Sequence, residues 1–144
     1  MSDAKSTETH LKWGLRILGM IDLLALVAVL MPRTLMAEIH GLTGLGPFPE
    51  GAIVTYLARS ASAMYALHGA LIIWLSLDVK RYAPMIRFLA LAAVVHGGVI
   101  LAIDVAEQMP FWWRIAEGPC FAGTGLIILW LQRRFERSLA TSPA

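Results

Sequence analysis

The sequence predicts an all-α integral membrane protein that folds as an antiparallel bundle of four transmembrane helices. The first observation is composition: of 144 residues, 58% are hydrophobic and only 15% are charged, which is too apolar for a soluble domain of this size. The second is spacing, because four apolar segments approach the ~20 residues that cross a bilayer. The third is that basic residues bracket these segments. Residues 1–144 are therefore predicted to form a single transmembrane domain.

The four predicted spans cover about residues 13–30, 52–77, 85–106 and 111–131. Short links between the later spans favour antiparallel neighbours. The polar start of the chain, residues 1–8, is expected to be frayed, and Trp13 is expected to lie in the membrane interface where the first span begins. Residues 32–51 form the longest connection, which is predicted to be an outer loop. Within it, the stretch RTLMAEIH predicts a short helix in the membrane interface, and glycines and prolines keep the rest of the loop irregular.

Lysines and arginines set the predicted orientation. Those near the N-terminus, the second connection and the C-terminus outnumber those on the other side, where only Arg33 and Arg114 fall. The positive-inside rule then places both termini in the cytoplasm. The first span starts like a signal peptide, but Asp22 interrupts its apolar stretch, so an uncleaved anchor is expected. We predict a multi-pass protein of a bacterial inner (cytoplasmic) membrane.

The expected partners follow from the same charges. The basic residues form no separate arm or patch, which argues against nucleic acid as a partner. The lipid bilayer is the expected surrounding, and a second copy of the chain or a membrane complex is a further candidate partner. The single cysteine, Cys120, excludes an internal disulfide.

Polar side chains inside the spans are candidate functional residues, because lipid makes them costly. They are Asp22, Ser62, Tyr65, His68 and His96. On a helix, Arg59, Ser62, Ala66 and Gly69 share one stripe, while Met64 and Leu67 lie opposite. Small residues at this spacing let helices approach closely, so the stripe is expected to face the bundle. A packing role is the competing explanation for each polar residue.

A second candidate is a polar cluster near the outer ends of the spans. It comprises Arg59, Asp104, Glu107, Glu117 and Arg114. Arg59 would lie about 10 Å inside the outer boundary, and it needs a partner unless it snorkels to the headgroups. Glu117 is the first choice because Pro119 is expected to kink or break the fourth helix near Gly118. Asp104 is the second choice, since it shares a small-residue face of the third span with Ala90, His96 and Gly97.

Two histidines raise the question of a haem. In an antiparallel hairpin His68 and His96 would differ in depth by only ~4–5 Å, so together they could ligate haem b. Against this, His68 lies about 130° from the centre of the small-residue stripe on its own helix. No compact set of three or four ligands indicates a metal. We therefore expect no cofactor, with haem b as an alternative.

The favoured function is that of an accessory or small-ligand-binding membrane protein rather than an enzyme. In this interpretation the outer polar cluster either stabilises the helix bundle or binds a ligand. The first alternative is an intramembrane enzyme or proton-coupled carrier that uses Asp104, Glu117 or His96. The second is a bis-histidine haem b protein that uses His68 and His96. No sequence motif assigns a reaction or a substrate.

Overall fold

The computed structural model of the chain describes residues 2–141. Over this range the chain forms helices and connections and no strand, which confirms the all-α class. The helices are α1 Ser2–Leu23, α2 Leu26–Leu30, α3 Arg33–Leu42, α4 Ala52–Leu75, α5 Ala83–Ala106 and α6 Phe111–Ala140. The short helix predicted in the long connection is α3.

Three stretches are long and apolar enough to cross a membrane. They are Asp3–Leu30, Ala83–Ala106 and Phe111–Ala140, and they contain the first, third and fourth predicted spans. The chain thus has the helices of a membrane protein. The second predicted span is helical as α4, but α4 is not one of the three stretches. Polar residues lower the mean hydropathy of α4, and they include Arg59, Ser60, Tyr65 and His68.

The structure corrects the expectation for the polar start of the chain. The helix α1 begins at Ser2, so residues 2–8 belong to it rather than to a frayed end. Local polar contacts explain this extension. The Thr9 hydroxyl donates to the carbonyl of Lys5 at 2.9 Å, and Lys12 pairs with Glu8 one turn away at 2.7 Å. Ion pairs at this spacing stabilise a helix.

The structure also settles the question raised by Pro119. The helix α6 runs from Phe111 to Ala140 through this proline, so the break is excluded of the two alternatives, a kink or a break. A proline removes one backbone hydrogen bond from a helix, and α6 continues past the missing bond. Gly118 is buried against α5, where a Cβ atom built on it would lie 2.7 Å from the carbonyl oxygen of Gly97.

The chain divides into two compact units. Unit 1 comprises Met1–Arg16 and Trp74–Ala144, and unit 2 comprises Ile17–Ile73. Unit 1 therefore contains α5, α6, the first part of α1 and the end of α4. Unit 2 contains the rest of α1 together with α2, α3 and most of α4.

In unit 1, the backbones of α5 and α6 approach closely at glycines. A Cβ atom built on Gly97 would lie 2.5 Å from the carbonyl oxygen of Gly118, and one built on Gly125 would lie 2.5 Å from that of Ala90. Both distances are too short for a side chain, so glycine is required at these contacts. Close approach of small residues is the main way in which helices associate in lipid. The small-residue face predicted for α5 is confirmed at Ala90 and Gly97.

In unit 2, α1 and α4 meet in the same way. A Cβ atom built on Gly69 would lie 2.5 Å from the carbonyl oxygen of Gly19. Ala66 and Gly69 are buried, whereas Met64 and Leu67 on the opposite face are about two-thirds exposed. The stripe predicted for α4 is thus confirmed around Gly69. Arg59, which was placed on the same stripe, is exposed.

Candidate functional site

The candidate residues fall into two groups, one in each unit. In unit 1, Asp104, Glu107, Arg114 and Glu117 lie around the connection between α5 and α6. In unit 2, Asp22, Arg59 and His68 lie on α1 and α4.

Asp104 is the most deeply buried acid of the first group. It lies in the last turn of α5 and is only 4% exposed. Its Oδ2 atom is buried and has no hydrogen-bond partner among the residues that the structure describes. Burying a carboxylate without a partner costs several kcal/mol. Asp104 is therefore an acceptor that can receive a hydrogen bond.

The connection after α5 brings Arg114 close to the end of the Asp104 helix. The Met109 N–H donates to the carbonyl of Asp104 at 2.9 Å, and the Arg114 Nε–H donates to the carbonyl of Met109. Gln108 adopts a left-handed conformation with φ of 55°, which turns the chain at this point. Only one of the five guanidinium N–H groups is used in the bond to Met109. A carboxyl acceptor and a cationic donor thus flank one short connection.

Glu117 and Glu107 have different surroundings. The Trp113 indole N–H donates to Glu117 Oε2 one turn along α6, so a local donor satisfies this half-buried carboxylate. Glu107 is exposed at the end of α5. Of the predicted outer cluster, the structure therefore places Asp104 and Arg114 on either side of the same connection, and it pairs Glu117 within its own helix.

Arg59 makes a backbone contact in unit 2. One of its terminal N–H groups donates to the carbonyl of Met31 at 3.0 Å. Met31 follows α2 directly and precedes Pro32, so its carbonyl oxygen lies at a helix end, where intrahelical donors are missing. Arg59 supplies that donor. Its pairing with Glu117 or Asp104 stays a prediction.

A carboxylate–imidazole pair joins α1 to α4 in unit 2. Asp22 Oδ2 lies 2.8 Å from His68 Nδ1, with the Asp22 side chain 13% exposed and that of His68 44% exposed. Backbone packing positions both residues, because Asp22 follows Gly19 by three residues and His68 directly precedes Gly69. The sequence identified each residue separately but not the pair. Matching Gly19 to Gly69 as a close contact would have revealed it.

The remaining candidates are half-buried or exposed, and His96, which was expected to share the packed face with Asp104, is exposed. The ring of His96 lies edge-on to that of Phe121, with 5.0 Å between the centroids, a favourable aromatic arrangement. Ser62 and Tyr65 are half-buried on α4. Within the range that the structure describes, no group of three or more histidine, cysteine or acidic side chains could hold a metal ion.

The haem alternative yields a clear spectroscopic prediction. We expect that protein purified from cells supplied with a haem precursor shows no Soret absorption band, because His68 lies away from the small-residue stripe of its helix and the ring of His96 packs edge-on against that of Phe121. The measurement is an absorption spectrum of the detergent-purified protein. A strong band that disappears in both His68→Ala and His96→Ala would contradict this expectation.

Aromatic and basic side chains form a belt at one end of unit 1. Its members pair arginines with rings: Arg16 with Trp13 at 5.8 Å, Arg81 with Tyr82 at 5.5 Å, and Arg134 with Trp130 at 4.9 Å. Such cation–π contacts are favourable, and Trp and Tyr are enriched at membrane–water interfaces. From the sequence, Trp13 was recognised as interfacial, but Trp130 and Tyr82 were missed.

The length of α6 between its tryptophans supports a membrane interface at each end. Trp112 and Trp130 are both exposed, and about 18 residues separate them, which is a rise of roughly 27 Å along a helix. The hydrocarbon core of a bilayer is about 30 Å thick. The spacing of the two tryptophans is thus that of two interfacial anchors.

The fold and these sites define an all-α protein with helices suited to crossing a membrane. Comparison with protein-family models, with curated proteins and with solved structures found no match to the chain. Its function is therefore argued from its own residues.

Proposed function

We propose that the chain is a four-span protein of a bacterial-type cytoplasmic membrane, with both termini in the cytoplasm, and that it serves as an accessory or small-ligand-binding protein rather than as an enzyme. The three apolar stretches and the basic, aromatic belt support the membrane location. Alternating spans joined by short connections give the antiparallel arrangement.

The helix α4 has the properties required of the fourth span. Its 24 residues correspond to roughly 36 Å of helix, which is enough to cross a bilayer. Inside lipid, each polar group needs a partner within the protein. Thr55 and Ser60 donate to backbone carbonyls of their own helix at 3.0 and 2.8 Å, Arg59 donates to Met31, and His68 pairs with Asp22. These contacts offset the polarity of α4.

The ligand-binding role depends on a single observation, which is that the buried Oδ2 of Asp104 has no partner within residues 2–141. Intramembrane acids are costly and are characteristically functional, and this one lies at the same connection as the cationic Arg114. Together they suit a small polar ligand that donates a hydrogen bond to the carboxyl group and accepts one from the guanidinium group.

Topology provides the direct test of the membrane arrangement. Reporter fusions are expected to place Lys80 and the C-terminus in the cytoplasm, because basic residues concentrate there. Fusions at Gly44 and at Glu107 are expected on the opposite side. If Gly44 and Lys80 report the same side, α4 does not cross the membrane and the four-span proposal fails.

The Asp22–His68 pair favours a second candidate, a proton-coupled carrier. A carboxylate in contact with an imidazole can exchange protons within a span, and chains of such groups occur in pumps and transporters. Vesicles that contain a carrier would take up protons faster than empty vesicles, and Asp22→Asn would abolish the difference. The exposed Asp78→Asn variant is the control. Equal uptake by vesicles with and without the protein would eliminate this candidate.

A further inference from the structure

A small cavity lies where the start of α5 meets the later part of α6 in unit 1. It has a volume of about 190 Å³ and is lined by Arg87, Leu91, Leu129, Gln132 and Arg133. We call it the Arg133 cavity. Pockets that hold drug-sized ligands measure ~300–1,000 Å³, so this one suits a smaller group. Neither the ligand-binding role of Asp104 nor the Asp22–His68 pair involves it.

The two arginines of the cavity differ in their charge balance. Arg87 pairs with Glu136 at 2.6 Å, and this contact offsets its charge. Arg133 is exposed, and it forms no ion pair with any acid among residues 2–141. The cavity therefore keeps a net positive charge and is complementary to an anion. Guanidinium groups bind phosphate oxygens with matching geometry.

Gln132 adds a requirement for a hydrogen-bond donor. Its side chain is 1% exposed, and its Nε2 group donates to the carbonyl of Ala83 at 2.7 Å and to Glu136 Oε1 at 3.1 Å. These two acceptors fix the orientation of the amide. The Oε1 atom is left buried and has no partner in the described part of the chain. An unsatisfied buried acceptor is costly, so a ligand with a donor close to its anionic group would be favoured.

The position of the cavity connects it to the membrane. Gln132 and Arg133 follow Trp130 on α6, and Arg134 covers the ring of Trp130 as part of the aromatic and basic belt. The cavity lining includes Leu91, which is half exposed. An anion seated here would thus have charged residues on one side and an apolar helix surface on the other.

We infer that the Arg133 cavity binds the headgroup of an anionic phospholipid whose headgroup also carries a hydroxyl donor, as phosphatidylglycerol does. The phosphate contacts Arg133, and the headgroup hydroxyl supplies the hydrogen-bond donor beside Gln132. The acyl chains follow the apolar surfaces of α5 and α6. Basic pockets between transmembrane helices are a known means of binding anionic headgroups. The inference rests on the proposed membrane location.

The test measures the retention of lipids on the full-length protein. Protein in uncharged detergent receives equal amounts of phosphatidylglycerol and phosphatidylcholine with the same acyl chains, and native mass spectrometry counts the bound lipids. Phosphatidylglycerol is expected to be retained preferentially. In Arg133→Gln the preference should fall about tenfold, since a hydrogen bond to a charged group is lost. Arg133→Lys should retain part of the preference because it keeps the charge.

The adjacent residue provides a matched control. Arg134 is the next residue along the chain and does not line the cavity. Arg134→Gln removes the same charge as Arg133→Gln, and it should leave the preference unchanged. Equal effects of Arg133→Gln and Arg134→Gln, or no preference in the unmodified protein, would overturn the inference. Competition by soluble glycerol phosphate at the lipid concentration would instead assign the site to a soluble phosphate and would overturn the lipid assignment.

Incorporation into lipid nanodiscs separates this inference from the proposed function. If the protein does not enter the bilayer, the membrane proposal fails. If it enters the bilayer but shows no preference for the anionic lipid, only the Arg133 cavity has been assigned wrongly.

Discussion

Replacing Gly97 by alanine is expected to lower the free energy of unfolding by about 1–3 kcal/mol, which is the usual cost of overpacking a closely packed contact. The added Cβ atom would lie 2.5 Å from the carbonyl oxygen of Gly118 and 2.6 Å from the amide nitrogen of Ala122. Both atoms belong to the backbone, so no side chain can rotate away to make room. The helices α5 and α6 would have to separate along their length. Thermal unfolding in detergent measures the effect.

Gly98, the next residue, supplies a control for which no loss of stability is expected. Gly98 is exposed, and a Cβ atom built on it would meet nothing within 4 Å. Because alanine is the better helix former, Gly98→Ala is expected to leave stability unchanged or to raise it by up to about 1 kcal/mol. Equal destabilisation by both variants would show that the close contact with α6 does not determine the cost at Gly97.

The sequence was sufficient for the all-α class and for the small residues through which helices pack, although Arg59 and His96, placed on the same faces, are exposed. Apolar composition and periodicity decide both. Ala90 and Gly97 were placed on the packed face of α5, and Ala66 and Gly69 on that of α4, because small residues at three- and four-residue spacing serve helix contacts in lipid. These faces depend on local spacing alone. Their prediction therefore did not require any knowledge of the neighbouring helix.

The pairing of polar residues depends on which helices meet and at what height, and the sequence did not supply this. Asp22 and His68 were each recognised as costly, but their contact follows from the meeting of Gly19 with Gly69. Arg59 was expected to need a carboxylate. The structure gives it the carbonyl of Met31, which becomes available only because α2 ends before Pro32. Backbone acceptors of this kind carry no sequence signal.

Asp104→Asn is expected to raise the free energy of unfolding of the protein without ligand by about 1–3 kcal/mol. The variant keeps the shape of the side chain but removes a group that can carry charge, and Asp104 is 4% exposed with no partner at Oδ2 in the described structure. The expected gain is the part of the desolvation penalty that is due to charge, because an ionised carboxylate costs more to bury than an amide does. Thermal unfolding in detergent, followed by circular dichroism, measures it.

A matched variant, and the sign of the change in the free energy of unfolding, test the Asp104 prediction. Glu107→Gln makes the same chemical change at an exposed position three residues further along, and it should alter stability by no more than about 0.5 kcal/mol. If Asp104→Asn instead destabilises the protein by about 3–5 kcal/mol, the carboxylate already has a strong charged partner, because that is the cost of breaking a buried pair. A gain in stability would identify Asp104 as a residue retained at the expense of stability, which is the usual property of a functional site.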